Sequence, residues 1–244
     1  MNALISVYDK TGIVEFAKNL NKLGWNIYAS GGTAQKIKDA GVAVTDVAEI
    51  AGGGAILGHR VVTLSREVFA GILADTGKPG NKTKTADQKE LEVLGIPTID
   101  LVCVDMYPLE EAIAKPGATE ADVILQTDIG GPTMLRAAAK ARRIVLSVAE
   151  QRTEVITWLE TGKPNEAEFL HQLAARAEYE AARYILASAK YLNGTDVSGF
   201  VARKFAPTKY GENPYQADAG LYADNRVAVD PLGLDQFKHV QGME

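Results

Sequence analysis

The sequence of 244 residues predicts an α/β fold, a parallel sheet with helices on both faces, followed by a helical C-terminal segment. Three observations predict it. Short apolar runs (ALISVY, NIYAS, IDLVCVDMY and RRIVLSV) alternate with segments of helical period through residues 1–150. The runs are continuously apolar rather than alternating, as in strands covered on both faces. Beyond Glu150 the pattern is helical.

Each element has its own signal. ALISVY is a first buried strand, and TGIVEFAKNLNKLG carries Ile13, Phe16, Ala17, Leu20 and Leu23 at helical spacing. NIYAS is a second strand, AQKIKDAG a second helix closing at Gly41, and VAVTDV a third extended piece. From Gly52 to Arg66 glycine density and broken period predict a long loop of the functional type. FAGILA fits a further strand, although six residues do not separate strand from helix. TADQKELEVLG is helical, IDLVCVDMY is the strongest strand, and RRIVLSV is another. Gln151 to Thr161 forms a helix, and Asn165 with Glu168 gives the capping-box start of a long one. Its face of Phe169, Leu170, Leu173, Ala174, Ala177, Ala181, Tyr184 and Ile185 requires cover from the sheet or a partner subunit. From Lys204 turn chemistry prevails, and residues 220–244 suggest no element. The organisation read is 1–203 as one domain (1–150 the α/β core, 151–203 its helical extension) and 204–244 as a tail.

Composition excludes several classes of function. A net charge of −5 gives no case for nucleic acid or an anionic membrane as partner, so a bound phosphate needs local donors. The lone Cys103 sits in an apolar run and reads as a core residue, and one cysteine forms no internal disulfide. No run reaches membrane length and the N-terminus lacks a signal-peptide layout, which makes the cytoplasm the expected location. His59, His171 and His239 show no metal-ligand spacing and read as surface or core residues.

Four segments follow buried strands directly: VYDKTG (7–12), SGGT (30–33), VDMYP (104–108) and TDIGGPTMLRAAAK (127–140). Ligands of open parallel sheets bind beyond the carboxyl ends of the strands. That rule gathers Asp9, Lys10, Ser30, Gly31, Gly32, Thr33, Asp105 and Tyr107 along one rim. Two glycines, hydroxyls and a helix start describe an anion seat; they equally describe a plain strand-to-helix turn with Thr33 as N-cap. In DIGGPTMLRAAAK, Pro132 and Thr133 suit a helix entry, and Arg136 and Lys140 lie one turn apart. Asp128 there fits a turn carboxylate and Lys140 a solvated cation at a helix end, unless both serve a ligand.

SVYDKTGIVEFAKNL, ASGGTAQ, RVVTL with AGIL, DMYPLEEAIAKPGAT and DIGGPTMLRAAAK together resemble, in order over most of residues 3–192, the IMP cyclohydrolase domain of the bifunctional AICAR transformylase/IMP cyclohydrolase family. The resemblance implies a methylglyoxal-synthase-like fold, a homodimer, and closure of the purine ring of 5-formamidoimidazole-4-carboxamide ribotide to IMP and water. It implies a 5′-phosphate gripped by SGGT with Lys10, Arg60 and Thr63 nearby, counts Asp9, Asp105, Ile129 and Gly130 among the substrate-binding residues, and requires no metal or organic cofactor. Lys140 would be the proton donor or acceptor, with Asp128 and Tyr107 beside the base.

The sequence departs from the family pattern at first-contact positions. Val62 and Ser65 stand where GRVKTLHP has lysine and histidine, Asp105 replaces the asparagine of NLYP, and Tyr8 the serine of SDK. A cyclohydrolase with an altered site is the favoured reading. A nucleotide-binding or regulatory module without turnover, and a methylglyoxal-synthase-like lyase, are the alternatives. KYGENPYQ (209–216) and FKHVQGME (237–244) resemble the opening of the transformylase domain. No formyl transfer is expected of this chain alone, a separate transformylase chain is an expected partner, and residues from 204 are too few for an independent core.

Overall fold

The computed structural model describes residues 1–57, 61–77, 83–208, 219–223 and 237–238. They fall into two compact units, Met1–Tyr184 and Ile185–Glu244, divided inside the long helix.

The first unit is built on five parallel strands: β1 (Asn2–Ser6), β2 (Asn26–Ala29), β3 (Thr45–Asp46), β4 (Leu101–Val104) and β5 (Ile144–Leu146). Their order is β3-β2-β1-β4-β5. β1 sits at the centre, with Leu4 opposite Tyr28 on one side and Val102 on the other. β4 and β5 are buried along their whole length, which explains their unbroken apolar sequence. The strand order reverses between β1 and β4, with β2 and β3 laid down to one side and β5 to the other, so the loops leaving those two parallel strands diverge and open a crevice.

Right-handed crossovers place α1 (Ile13–Lys22) and α2 (Gly31–Asp39) on one face. The return crossover carries α3 (Arg66–Leu73) and α4 (Ala86–Leu94) over the other face. There α5 (Leu109–Ala114), α6 (Glu120–Leu125) and α7 (Gly130–Lys140) follow β4. Contacts agree: α7 packs on α3, β4 and β5, while α1 packs on α2 and on α8 (Gln151–Glu160). Two sequence expectations change here. FAGILA is helical within α3, because Ser65 caps its start by accepting from the Val68 amide at 3.2 Å. Gly71 then packs so closely on the chain that a Cβ would stand 2.5 Å from the Pro97 carbonyl oxygen. The second helix starts at Gly31 with Ser30 as N-cap, not at Thr33.

Burial also decides the fate of single polar residues. Cys103 is buried, which pushes its thiol up to about 11 and leaves it a core residue. Arg143, also buried, donates to the Ile72 carbonyl at 2.8 Å and to the Ala74 carbonyl, closing the C-terminal end of α3. The long helix α9 (Glu166–Asn193) follows a turn in which the Trp158 indole donates to the Pro164 carbonyl and stacks on Phe169. In the second unit β6 (Arg203–Pro207), β7 (Gly220–Ala223) and β8 (Phe237–Lys238) form an antiparallel sheet, where the sequence suggested no element after residue 220. Strands of four and two residues are too short to show a period. No helix among the described residues is long and apolar enough to cross a membrane.

Candidate active site

The crevice between the carboxyl ends of β1 and β4 holds two adjoining cavities in the first unit. The smaller, about 300 Å³, is lined by Thr63, Tyr107, Asp128, Ile129, Gly130 and Gly131 among others. The larger, about 770 Å³, is lined by Lys10, Tyr107, Ser147 to Glu150, and by Glu180, Arg183 and Tyr184 of α9. Tyr8, Asp105 and Tyr107 form the wall between them. The Tyr8 and Tyr107 rings meet edge to face at 5.4 Å.

Asp128 stands just before α7, and its carboxylate accepts from the Gly131 amide at 3.0 Å. It thereby caps the helix although it is not the N-cap residue. The cradle needs glycines. A Cβ on Gly131 would stand 2.4 Å from Asp128 Oδ2, and one on Gly130 3.1 Å from the Thr63 hydroxyl. Burial raises the Asp128 carboxyl above its ordinary value, while the Gly131, Tyr107 and Gly130 amides pull the other way. The backbone around it is pinned by Tyr184, whose hydroxyl accepts from the Asp128 amide at 2.6 Å and donates to the Gln126 carbonyl at 3.1 Å. Burial pushes that phenol up to about 12, so it stays protonated and keeps both bonds.

The loop after β1 is held differently. Both the Tyr8 and Asp9 amides donate to Asp105 Oδ1, the second at 3.1 Å. Asp105 Oδ2 pairs with Arg152 of α8 at 2.9 Å. The same guanidinium donates to the Asp9 carbonyl at 3.1 Å and to the Thr11 carbonyl. Burial raises the Asp105 carboxyl, opposed by these donors. Lys10 Nζ lies 3.3 Å from the Val7 and Tyr8 carbonyls, and its stem approaches Gly32, whose added Cβ would stand 3.7 Å from Lys10 Cε. The Lys10 side chain therefore lies beside the start of α2, where the Gly31 and Gly32 amides have no intrahelical acceptor.

The expected site residues divide accordingly. Asp128, Tyr107, Thr63, Ile129 and Gly130 share the smaller cleft, and Asp105 borders it. Ser30 touches that cleft through Ser6, hydroxyl to hydroxyl at 2.8 Å. Thr33 is 2 % exposed and its hydroxyl donates to the Val7 carbonyl at 3.2 Å, so it fastens the turn rather than facing a ligand. Asp9 is exposed, its carboxyl held below the ordinary value by Thr11. Arg60 lies outside the described residues. Lys140, expected as the proton donor or acceptor, ends α7, exposed, about 15 Å along the helix from the turn that carries Asp128. It does not line the cleft of its own chain.

Arg152 and Tyr184 escaped the sequence reading. Each looks like an ordinary helix residue, one on a short helix and one on the apolar stripe of α9. Only the fold shows which loop they reach. Among the described residues no cluster of side chains could hold a metal.

Comparison with known proteins agrees with this architecture. A family model described as MGS-like domain matches residues 12–133. The bifunctional purine biosynthesis protein PurH of Trichormus variabilis is 39% identical over 246 residues, covering 99% of this chain and 47% of that protein. PurH of a Synechocystis species is 40% identical over 252 residues, with the same coverage. The chain thus spans about half the length of these curated relatives. A solved structure described as the crystal structure of ForH matches 81% of this chain and 100% of its own, at 35% identity and a TM-score of 0.67. The parallel sheet, the β1/β4 crevice and the sequence match lead to one conclusion: the chain belongs to the MGS-like domain family.

Proposed function

We propose that this chain is an enzyme of purine biosynthesis, an IMP cyclohydrolase that closes 5-formamidoimidazole-4-carboxamide ribotide to IMP and water. One observation carries the reading. Asp128 and Tyr107 face a cleft of about 300 Å³ directly beside the loop where Lys10 and the α2 start converge. That spacing offers one end to a heterocycle and the other to a phosphate. The similarity to PurH over 99% of the chain supports it.

The chemistry asks for little beyond placement. Both reacting groups are amides, so fixing one against the other supplies much of the rate. The carboxamide nitrogen attacks the formyl carbon and a C–N bond forms. Asp128 takes the proton released from that nitrogen, for which a carboxyl raised by burial is better suited than an ordinary one. The new oxyanion is met by the hydroxyls of Thr63 and Tyr107, donors that line the same cleft. Asp128 returns the proton to that oxygen, and the oxygen leaves as water as the formamido nitrogen gives up its own proton. Lys140 has a part only if a second copy of the chain delivers it, which is the arrangement the expected homodimer would allow. The reading places the protein in the cytoplasm.

The test follows IMP formation spectroscopically from the formylated ribotide with the chain alone. Turnover above background that is lost in Asp128→Asn is expected. A second reading, a nucleotide-binding module without turnover, rests on the absence of any cationic side chain among the described lining residues of the smaller cleft. Tight IMP binding with unchanged substrate would select it. Release of methylglyoxal from dihydroxyacetone phosphate would select the lyase.

A further inference from the structure

The geometry assigns Asp105 and Arg152 to a positioning pair that sets the Tyr8–Thr11 loop, and with it Lys10, rather than to ligand contact. Every oxygen of Asp105 already has a protein donor. Oδ1 takes two consecutive amides, Tyr8 and Asp9, and Oδ2 takes the Arg152 guanidinium. Arg152 in turn holds the two carbonyls that flank Lys10, those of Asp9 and Thr11. One residue of the loop after β4 and one of α8 therefore grip four backbone groups within four residues of the loop after β1.

The pair is buried enough to matter, with side-chain exposure of 5% at Arg152 and 16% at Asp105. A buried pair holds its geometry well, because separating it strands a charge. Direction also matters. A carboxylate accepts two parallel amides and a guanidinium together, whereas a carboxamide there would turn its NH₂ toward Arg152 or toward the amides. The acid at 105 thus fits the arginine at 152, and it adds no net charge to the crevice. Arg152 Nε is buried without a hydrogen-bond partner among the described residues, so its grip on the loop is made by the two terminal nitrogens.

The functional consequence rests on the reading of Lys10 as a phosphate ligand given above, while the structural one does not. The decisive experiment is amide hydrogen exchange on the full chain, comparing wild type with Asp105→Asn and Arg152→Met. The Tyr8 and Asp9 amides should exchange about tenfold faster or more in either variant, with β1 and β4 amides unchanged. The double variant should be no worse than the poorer single one, since both remove the same link. In parallel, KM for the ribotide should rise about tenfold or more, with a smaller change in kcat, as expected for a displaced binding group. Unchanged exchange at Tyr8 and Asp9, or additive effects in the double variant, overturns the assignment whatever the activity. Faster exchange in a chain that closes no ring upholds the pair and removes only the cyclohydrolase reading. Should Arg152→Met fail to fold, Arg152→Lys keeps the charge but not the fork, and the same exchange result is required of it.

Discussion

Two carboxylates stand on one rim of the sheet, and their partners give them opposite work. Asp105 faces a buried guanidinium and two amides from another loop. Asp128 is met by amides at the start of α7, and among the described residues it makes no ion pair. Burial raises both. Only one has its charge matched by an arginine, so only that one is a fixed strut. The other is a carboxyl that can gain and lose a proton at modest cost. Residue type alone does not distinguish a strut from a base; the neighbour at 3 Å does.

The comparison breaks most sharply at Asp128. Asparagine there still accepts from Gly131, so the start of α7 survives, but no proton can be taken; ring closure should fall about 10²- to 10⁴-fold. Circular dichroism and IMP binding near wild type should accompany that loss. Gly131→Ala should come next. Its Cβ would collide with the Asp128 carboxylate at 2.4 Å, displacing the base and lowering stability by about 1–3 kcal/mol. A variant as active and as stable as wild type would mean the carboxylate is not held where α7 begins.

Lys140 sharpens the contrast in a different way. Lys140→Ala and Asp128→Asn, each inactive alone, should recover part of the wild-type activity when mixed if a second copy supplies the lysine. No recovery, or a fully active Lys140→Ala, would leave each cleft to its own chain. Tyr184→Phe is a smaller effect. It leaves the Asp128 amide and the Gln126 carbonyl without their shared hydroxyl, a loss of about 1–3 kcal/mol seen by denaturant unfolding.

The smallest effect is in pH. A carboxyl whose folded value lies above its unfolded value of about 3.9 binds more protons when folded, so it lowers stability as pH rises through that interval. Asp128→Asn should therefore gain in melting temperature relative to wild type above that interval, and the gain should vanish below pH ~4. For activity the sign is reversed, since the base works ionised. The acid limb of kcat/KM should lie above the ordinary value of an aspartate.

Much of this architecture was legible in the chain. Unbroken apolar runs identified β1, β4 and β5, because strands covered on both faces admit no polar alternation. The rim rule places Asp9, Lys10, Asp105 and Tyr107 together, and all four line the larger cavity. The rest was not legible, for physical reasons. FAGILA is apolar in either conformation, and only the Ser65 cap and the Gly71 contact with Pro97 decide for helix. Thr33 looked like a ligand hydroxyl, but its burial gives it to the Val7 backbone. Lys140 shares a motif with Asp128, yet a helix of 11 residues carries the two apart. Arg152 and Tyr184 reach their loops over sequence separations of 47 and 56 residues, which no local pattern encodes.

The most direct measurement is a crystal structure of the chain with IMP. The purine should lie within hydrogen-bond distance of Asp128 and Tyr107, with its phosphate at Lys10 and the Gly31–Gly32 amides. A nucleotide seated instead between α9 and the Ser147–Glu150 loop, with the Asp128 cleft empty, would contradict the account.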